Sequence, residues 1–506
     1  MVAKTRGYYA RDWPLQLGWN NVRYIIEAGI LHSQLLNRTL VIPSFVYARS
    51  CLFEMDVCSS YATRFHRGEE IGMGDFQYLP DEEQIAWRLP IQLMIDLPRL
   101  RQQHSVVTVA EYLRLHHLPT SLERANGAWD PVNYHLAPLR PTLLEIQADE
   151  WEPEGMVRVD RMLKNVPAVE SGPIFEALRG QLNGKTIGIA HAQNTLRDQG
   201  LATWKDDAEF ERILHANGWT FMHSFRGSFV EMFKAVTDWE TEIGMVAQMR
   251  GLVDDVGGSD ADVFHITGEI HWNRKAGTLR FTTSEARTNF ASLVLNGVHP
   301  IPPVRTLGDR LARKMQRLNG GRQYMSAHMR RGDCKWAQHL RSRSRARALT
   351  SRTVAVLGWA EATVERHINR IMDRLKDGMR IVQDIFKSQE PRRTVAVPGI
   401  TPDDFFEHVP APIPEDKFFL ATDAKNASDI EYVKSVGAVL ITDLIDPEDR
   451  RIVGWPLLFG DVRAQVEQEV AARSIFFYGH TMSSVAGGVA NLRGARGKDP
   501  RTCYVD

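Results

Sequence analysis

Apolar positions along the chain fall into short runs that switch between helical and strand spacing. Near the start, GWNNVRYIIEAGILHSQLLNRTLVIP sets a loop at 18–21, followed by Ile25, Ile26, Gly29, Ile30 and Leu36 near helical spacing. A turn at Asn37, Arg38 and Thr39 then leads into Leu40, Val41 and Ile42, a short apolar strand. Residues 50–180 are rich in proline, tryptophan and charge with weak periodicity, and this predicts loops and short helices. The runs at 185–191 and 263–266 predict further strands, with helical spacing at 210–214 between them. An apolar run at 290–295 and the proline-rich HPIPPVR at 299–305 predict a boundary, beyond which a helix runs from about 306 to 318 and stops at Asn319, Gly320 and Gly321.

The second half carries the clearer succession. Strands are predicted at 324–329, 418–422 and 439–442, and Ser428-Asp429-Ile430-Glu431 reads as a capping box opening a helix that Gly437 closes. A strand, helix, strand unit of that length implies parallel pairing with a right-handed crossover. A helix at 461–473 leads into a strand at 475–478. The chain therefore reads as α/β, in two units of 1–305 and 306–506.

Length agrees with that division, since 506 residues exceed what one core of about 150 residues holds. Apolar residues make up 43% and charged residues 25%, with 62 Lys and Arg against 62 Asp and Glu, so charge balance gives no argument for a nucleic-acid or membrane partner. Four cysteines, Cys51, Cys58, Cys334 and Cys503, are too few for a disulfide scaffold and lack zinc-site spacing; Cys51 and Cys58 could form one bridge or stay reduced. No stretch of about 18 apolar residues is present, and the start lacks the apolar core of a signal peptide. That leaves a cytosolic chain, or one whose targeting segment lies upstream.

Chemistry concentrates in YMSAHMRRGDCKW, at 324–336. Strand alternation puts His328 and Arg330 on one side and Met329 and Arg331 on the other, at the carboxyl end where open α/β sheets bind ligands. A guanidinium offers a permanently charged planar fork that fits phosphate oxygens in pairs. Asp333 is placed to orient an arginine or accept hydroxyls, and the Arg331-Gly332-Asp333 tripeptide is an adhesion signal only if it sits on an exposed loop tip. Further along, GHTMSSVAGGVANLRG opens a helix with Gly479, Ser483 and Ser484, a ready anion site or a plain serine cap. Thr422 and Asp423 end another strand and suit ribose or base donors. Asn20, Asn21 and Arg23 open the first helix.

These segments in this order resemble the protein O-fucosyltransferase family: GWNN and LLNRTLVIP, HMRRGD, ATDA, and VEQEVAARSIFFYGHTMSSVAGG. Asn21 and Asn37 keep the family's spacing between its loop asparagine and that of its Leu-Asn-Arg-Thr-Leu stretch. The family's His-x-Arg strand falls on His328 and Arg330, and its Ser-Ser on Ser483 and Ser484. The resemblance implies two Rossmann-like domains facing across a cleft, the type B glycosyltransferase architecture, with GDP-fucose held mainly by the second. It implies a serine or threonine hydroxyl of a protein as acceptor, no metal, Arg330 on the β-phosphate of departing GDP, and a secretory lumen as location. Some relatives carry a glutamate just before the loop asparagine; here Gly18, Trp19 and Asn20 stand there, and Asn21 is left to position the acceptor. Glu27, Asp333 and Glu269 are the candidate bases.

Other patterns are weaker. Asp260-Ala261-Asp262 precedes a strand instead of ending one and reads as a turn, not a metal site. The segment 180–186 has one residue too few for a phosphate-binding loop. His116, His117 and His265 read as surface or core histidines, HITGEIHW as a packed strand around Glu269 and His271, and the arginine-serine run at 341–352 as a solvated loop. Competing functions are transfer to a glycan or lipid acceptor, transfer from another nucleotide sugar, a catalytically silent binder of the same fold, and an adhesion or RNA-associated protein.

Overall fold

The structure is a computed structural model that describes residues 2–71, 84–135, 142–164, 166–182, 184–226, 233–268, 279–330, 363–388, 392–402 and 409–506. Two five-stranded parallel sheets dominate it. The first runs in the order Val106–Thr108, Thr39–Ile42, Tyr8–Arg11, Val263–Ile266, Leu143–Ile146. The second runs Ala438–Val439, Phe418–Thr422, Met325–Met329, Phe476–Gly479, Cys503–Val505. Counted along the chain, the second order is 3-2-1-4-5, that of a Rossmann half, and the first is 3-2-1-5-4. Both sheets are covered by helices on two faces, which is why their strands are continuous apolar runs instead of alternating ones.

In the second sheet, Pro302–Leu318 and Gly460–Arg473 pack on one face and Val364–Lys387 on the other. Buried hydroxyls at the start of the central strand are satisfied: Ser326 meets the Ser474 hydroxyl at 2.7 Å and donates to the Ala471 carbonyl at 3.1 Å, and the Tyr324 hydroxyl, just before the strand, donates to the Val470 carbonyl at 2.7 Å.

Several expectations are corrected. The region 50–180 supplies two strands of the first sheet, Val106–Thr108 and Leu143–Ile146, and two, Ile85–Pro90 and Arg64–His66, that pair antiparallel with each other and with Phe45–Ala48. The strand expected at 185–191 is only Ile187–Gly188, after which the helix Ile189–Asp198 takes over, because Ala192, Thr195 and Leu196 bury a helical stripe that the apolar start does not show. The strand expected at 439–442 is likewise cut short: Ala438–Val439 gives way to the helix Ile441–Leu444. The cap of Ala427–Ser435 is Asn426, whose side chain accepts from the Ser428 amide; Ser428 lies inside the helix. The helix at the boundary starts earlier than expected, at Pro302, where a proline without N–H is tolerated.

Residues between 173 and 245 form a unit with its own core. Helix Pro173–Arg179, strand Ile187–Gly188, helices Ile189–Asp198 and Asp207–Ala216, and strands Trp219–Phe225 and Trp239–Met245 pair in the order of a winged helix. Its core draws Phe175 and Leu178, Ile187, Leu196, Phe210 and Leu214, Trp219 and Ile243 from successive elements. Cys51 and Cys58 are bridged. No helix among the described residues is long and apolar enough to cross a membrane.

Candidate functional site

The second sheet reverses its strand order between Met325–Met329 and Phe476–Gly479, so a crevice opens beyond their carboxyl ends. His328, Arg330 and the loop 480–483 occupy it. Arg330 donates through Nη1 to the Met482 carbonyl at 2.8 Å, and the Met482 amide donates to His480 Nδ1 at 3.0 Å. The Thr481 amide donates to the Asp506 carbonyl at 3.0 Å. Asp506 is itself fixed, its carboxylate accepting from Arg374 at 2.6 Å and from the Tyr478 hydroxyl at 2.8 Å. The loop is thus pinned residue by residue.

Two buried polar atoms here have no hydrogen-bond partner among the described residues: His328 Nδ1 and the Ser483 hydroxyl. Ser483 is the N-terminal flank of the helix Ser484–Ala495, yet its side chain makes no capping bond. A buried hydroxyl spared from its ordinary cap, at the positive end of a 12-residue helix and beside a guanidinium, is chemically suited to an anion. Burial, with Arg330 adding, pushes the His328 imidazole down to about 3, and burial pushes His480 down to about 4, Arg370 adding. Both rings are neutral at physiological pH, so Arg330 supplies the positive charge.

The first half meets this loop directly. Gly18 starts the helix Trp19–Leu35, and Asn20 and Asn21 lie in its first turn, not in the loop expected from the sequence. The Tyr24 hydroxyl donates to the Ser484 carbonyl at 2.8 Å, and Gln468 donates to Asn20 Oδ1 at 2.9 Å. Asn21 Oδ1 is shielded from solvent without a partner among the described residues. The adjacent glycines of VAGG explain the closeness: a Cβ on Gly487 would lie 2.4 Å from the Tyr24 hydroxyl, and one on Gly488 2.2 Å from Gln468 Nε2. From the winged-helix unit, the Phe233 amide donates to the Thr481 carbonyl at 2.8 Å, and Asn491 accepts from the Val236 amide at 2.8 Å.

Arg23 stands elsewhere. It is buried and donates to Glu27 at 2.9 Å. Burial, opposed by Arg23, pushes Glu27 up to about 7, and the residue is 2% exposed, which leaves no path to an acceptor. Thr422 pairs in register with Met329 at the end of the neighbouring strand, and its hydroxyl accepts from the Ala424 amide at 3.2 Å. Asp423 follows, exposed. Near it lies Glu467, on the helix Gly460–Arg473, whose carboxyl burial pushes up to about 7, Asp423 raising it further against Arg463. Glu467 escapes a reading of the sequence, because VEQEV looks like any charged helical turn. Arg331, Asp333, Glu269 and the runs 269–272 and 341–352 lie outside the described residues. His265 is buried between Asp12 and Glu145, each 3.3 Å from a ring nitrogen, and Asp262 accepts from the Thr142 amide and hydroxyl, so both are structural.

A guanidinium, a helix start and a spare hydroxyl at the carboxyl end of a parallel sheet have the chemistry that suits a phosphate group. No known family profile and no curated protein matches the sequence. Among solved structures, the chain is similar to POFUT1 in complex with GDP-fucose, at 10% identity and TM-score 0.36 over 99% of this chain and 98% of that one. It is similar also to the fucosyltransferase NodZ from Bradyrhizobium, at 11% identity and TM-score 0.28 over 97% and 92%. At such scores the likeness assigns no residue a role.

Proposed function

We propose that this chain is an inverting glycosyltransferase that moves fucose from GDP-fucose to a serine or threonine hydroxyl of a protein. The observation that carries the reading is the meeting of Arg330, the unpartnered Ser483 hydroxyl and His328 Nδ1 at the switch point of the second sheet. The choice of fucose rests on the sequence resemblance carried by HMRRGD and the segments around it.

In this reading the diphosphate lies across the start of Ser484–Ala495, with Arg330 on its β-phosphate, Ser483 and Ser484 on its oxygens and His328 beside it. Arg331 and Asp333 keep the roles their chemistry suggests, a second guanidinium for phosphate oxygens and a carboxylate to orient an arginine. Thr422 and Asp423 take the ribose or base, and Glu467 is placed to accept from base N–H groups. The acceptor oxygen attacks the anomeric carbon while the carbon–oxygen bond to phosphate breaks, and the electron pair leaves on GDP. Charge builds there in the transition state, so a preformed guanidinium stabilises that state more than the ground state. Asn21, three residues before the Tyr24 that meets Ser484, positions the acceptor, with Asn20 holding the seam. Arg23 does not reach the ligand, and with Glu27 buried, Asp333 and Glu269 remain as carboxylates for the acceptor's proton. No metal is called for. The Cys51–Cys58 bridge fits an oxidising compartment such as the secretory lumen.

Turnover of GDP-fucose by wild type and Arg330→Ala, side by side, tests this. Loss of one such donor costs on the order of 10²–10³ in rate. GDP at a hundred times its dissociation constant adds about 2.7 kcal/mol of stability. If UDP and ADP stabilise as well as GDP, the donor assignment fails; if GDP binds and no turnover occurs, the chain is a silent binder.

A further inference from the structure

Four of the ten large apolar side chains that are exposed among the described residues lie within 53–61: Phe53 at 46%, Met55 and Val57 at 40% and Tyr61 at 53%. The Cys51–Cys58 bridge closes the segment, and its short helix Met55–Ser59 stands on the other half of the molecule. The Leu52 amide donates to the Leu458 carbonyl at 2.9 Å, Tyr61 stacks on Trp455 at 5.7 Å with the rings 10° apart, and the Arg450 guanidinium sits 5.7 Å over Phe53. A rigid apolar patch of this kind marks a contact surface, because it loses little freedom when covered.

Its charges select the partner. Glu54 and Asp56 alternate with Phe53, Met55 and Val57 and are exposed, so pressing the apolar side chains into a membrane would carry two carboxylates against the headgroups. Arg450, exposed, borders the same patch from the other half, and Arg451 follows it, exposed too. One patch that bears exposed carboxylates from its own segment and an exposed guanidinium from the facing half can set unlike charges against each other about a two-fold axis. We propose that this face is the interface of a homodimer, with Glu54 and Asp56 of each copy against Arg450 and Arg451 of the other. The inference does not depend on the proposed reaction.

Sedimentation of the full chain through a dilution series in the micromolar range tests it. Wild type is expected at twice the chain mass. Phe53→Asp with Val57→Asp should be monomeric at every concentration. Glu54→Arg should weaken association at least about tenfold, because it sets like charges against each other, and adding Arg450→Glu to it should restore the dimer. A monomeric wild type, a dimer indifferent to Glu54→Arg, or co-flotation of wild type with phosphatidylserine vesicles would each overturn the proposal.

Discussion

Ser483 and Glu467 show how differently a buried and a partly buried polar residue can be used. The Ser483 hydroxyl has no partner within the described protein, so Ser483→Ala removes nothing that holds the fold. Its stability without nucleotide should stay within about 0.5 kcal/mol of wild type. GDP affinity should drop by the worth of one hydrogen bond to a charged group, about 1.5–3 kcal/mol, read by calorimetry. Glu467, proposed to face the base, also makes stability depend on pH. Its folded carboxyl binds a proton that the unfolded chain gives up, so the stability it adds is complete below about 4.5 and lost as pH rises through about 7. Glu467→Gln should therefore be more stable than wild type above pH 7, on the order of 1–3 kcal/mol in urea unfolding, with the gain vanishing in acid. At this scale His328 and Arg330 are legible, since alternation alone puts them on one side of a strand. Arg23 is not: its spacing to Glu27 fits a surface pair as well as a buried one, and only packing makes it the second.

Among elements, the helix Ser484–Ala495 has the most to satisfy. Its amino end faces the candidate ligand, its VAGG face admits Tyr24 and Gln468 of two other helices, and Asn491 brackets the chain at Val236. Gly487→Ala should cost about 1–3 kcal/mol, because the added carbon meets the Tyr24 hydroxyl on one side and the Lys234 amide on the other. Thermal unfolding measures this directly, and an unchanged midpoint would mean that the seam is looser than described. The second half is the more legible in the sequence, because its strands are apolar runs separated by capped helices. Tyr8–Arg11, Val106–Thr108 and Leu143–Ile146 are not legible, being strands of three or four residues whose partners lie far along the chain, and Ile187–Gly188 reads as continuing through what is a helix. Short strands leave little periodicity to read, and pairing with distant segments overrides it.

At the scale of the molecule, the two sheets share one continuous core, and connections such as Tyr24 to Ser484, Phe233 to Thr481, Gln468 to Asn20 and Leu52 to Leu458 knit the halves together. Opening the Cys51–Cys58 bridge should cost about 2 kcal/mol through the entropy of so short a loop. Cys51→Ser with Cys58→Ser, compared with wild type by denaturant unfolding, checks the size of that loss. Apolar runs and turn residues determined by themselves that the chain is α/β, that its second half is a parallel sheet, and that His328, Arg330 and Ser483 stand at strand and helix ends, because these follow from local periodicity. Only the tertiary structure decided that Glu467 nears Asp423, that Glu27 is buried against Arg23, that Phe233 reaches the loop 480–483, and that Arg330 meets that loop at Met482. Such facts depend on strand order and burial, which the chain reaches only by packing residues hundreds of positions apart.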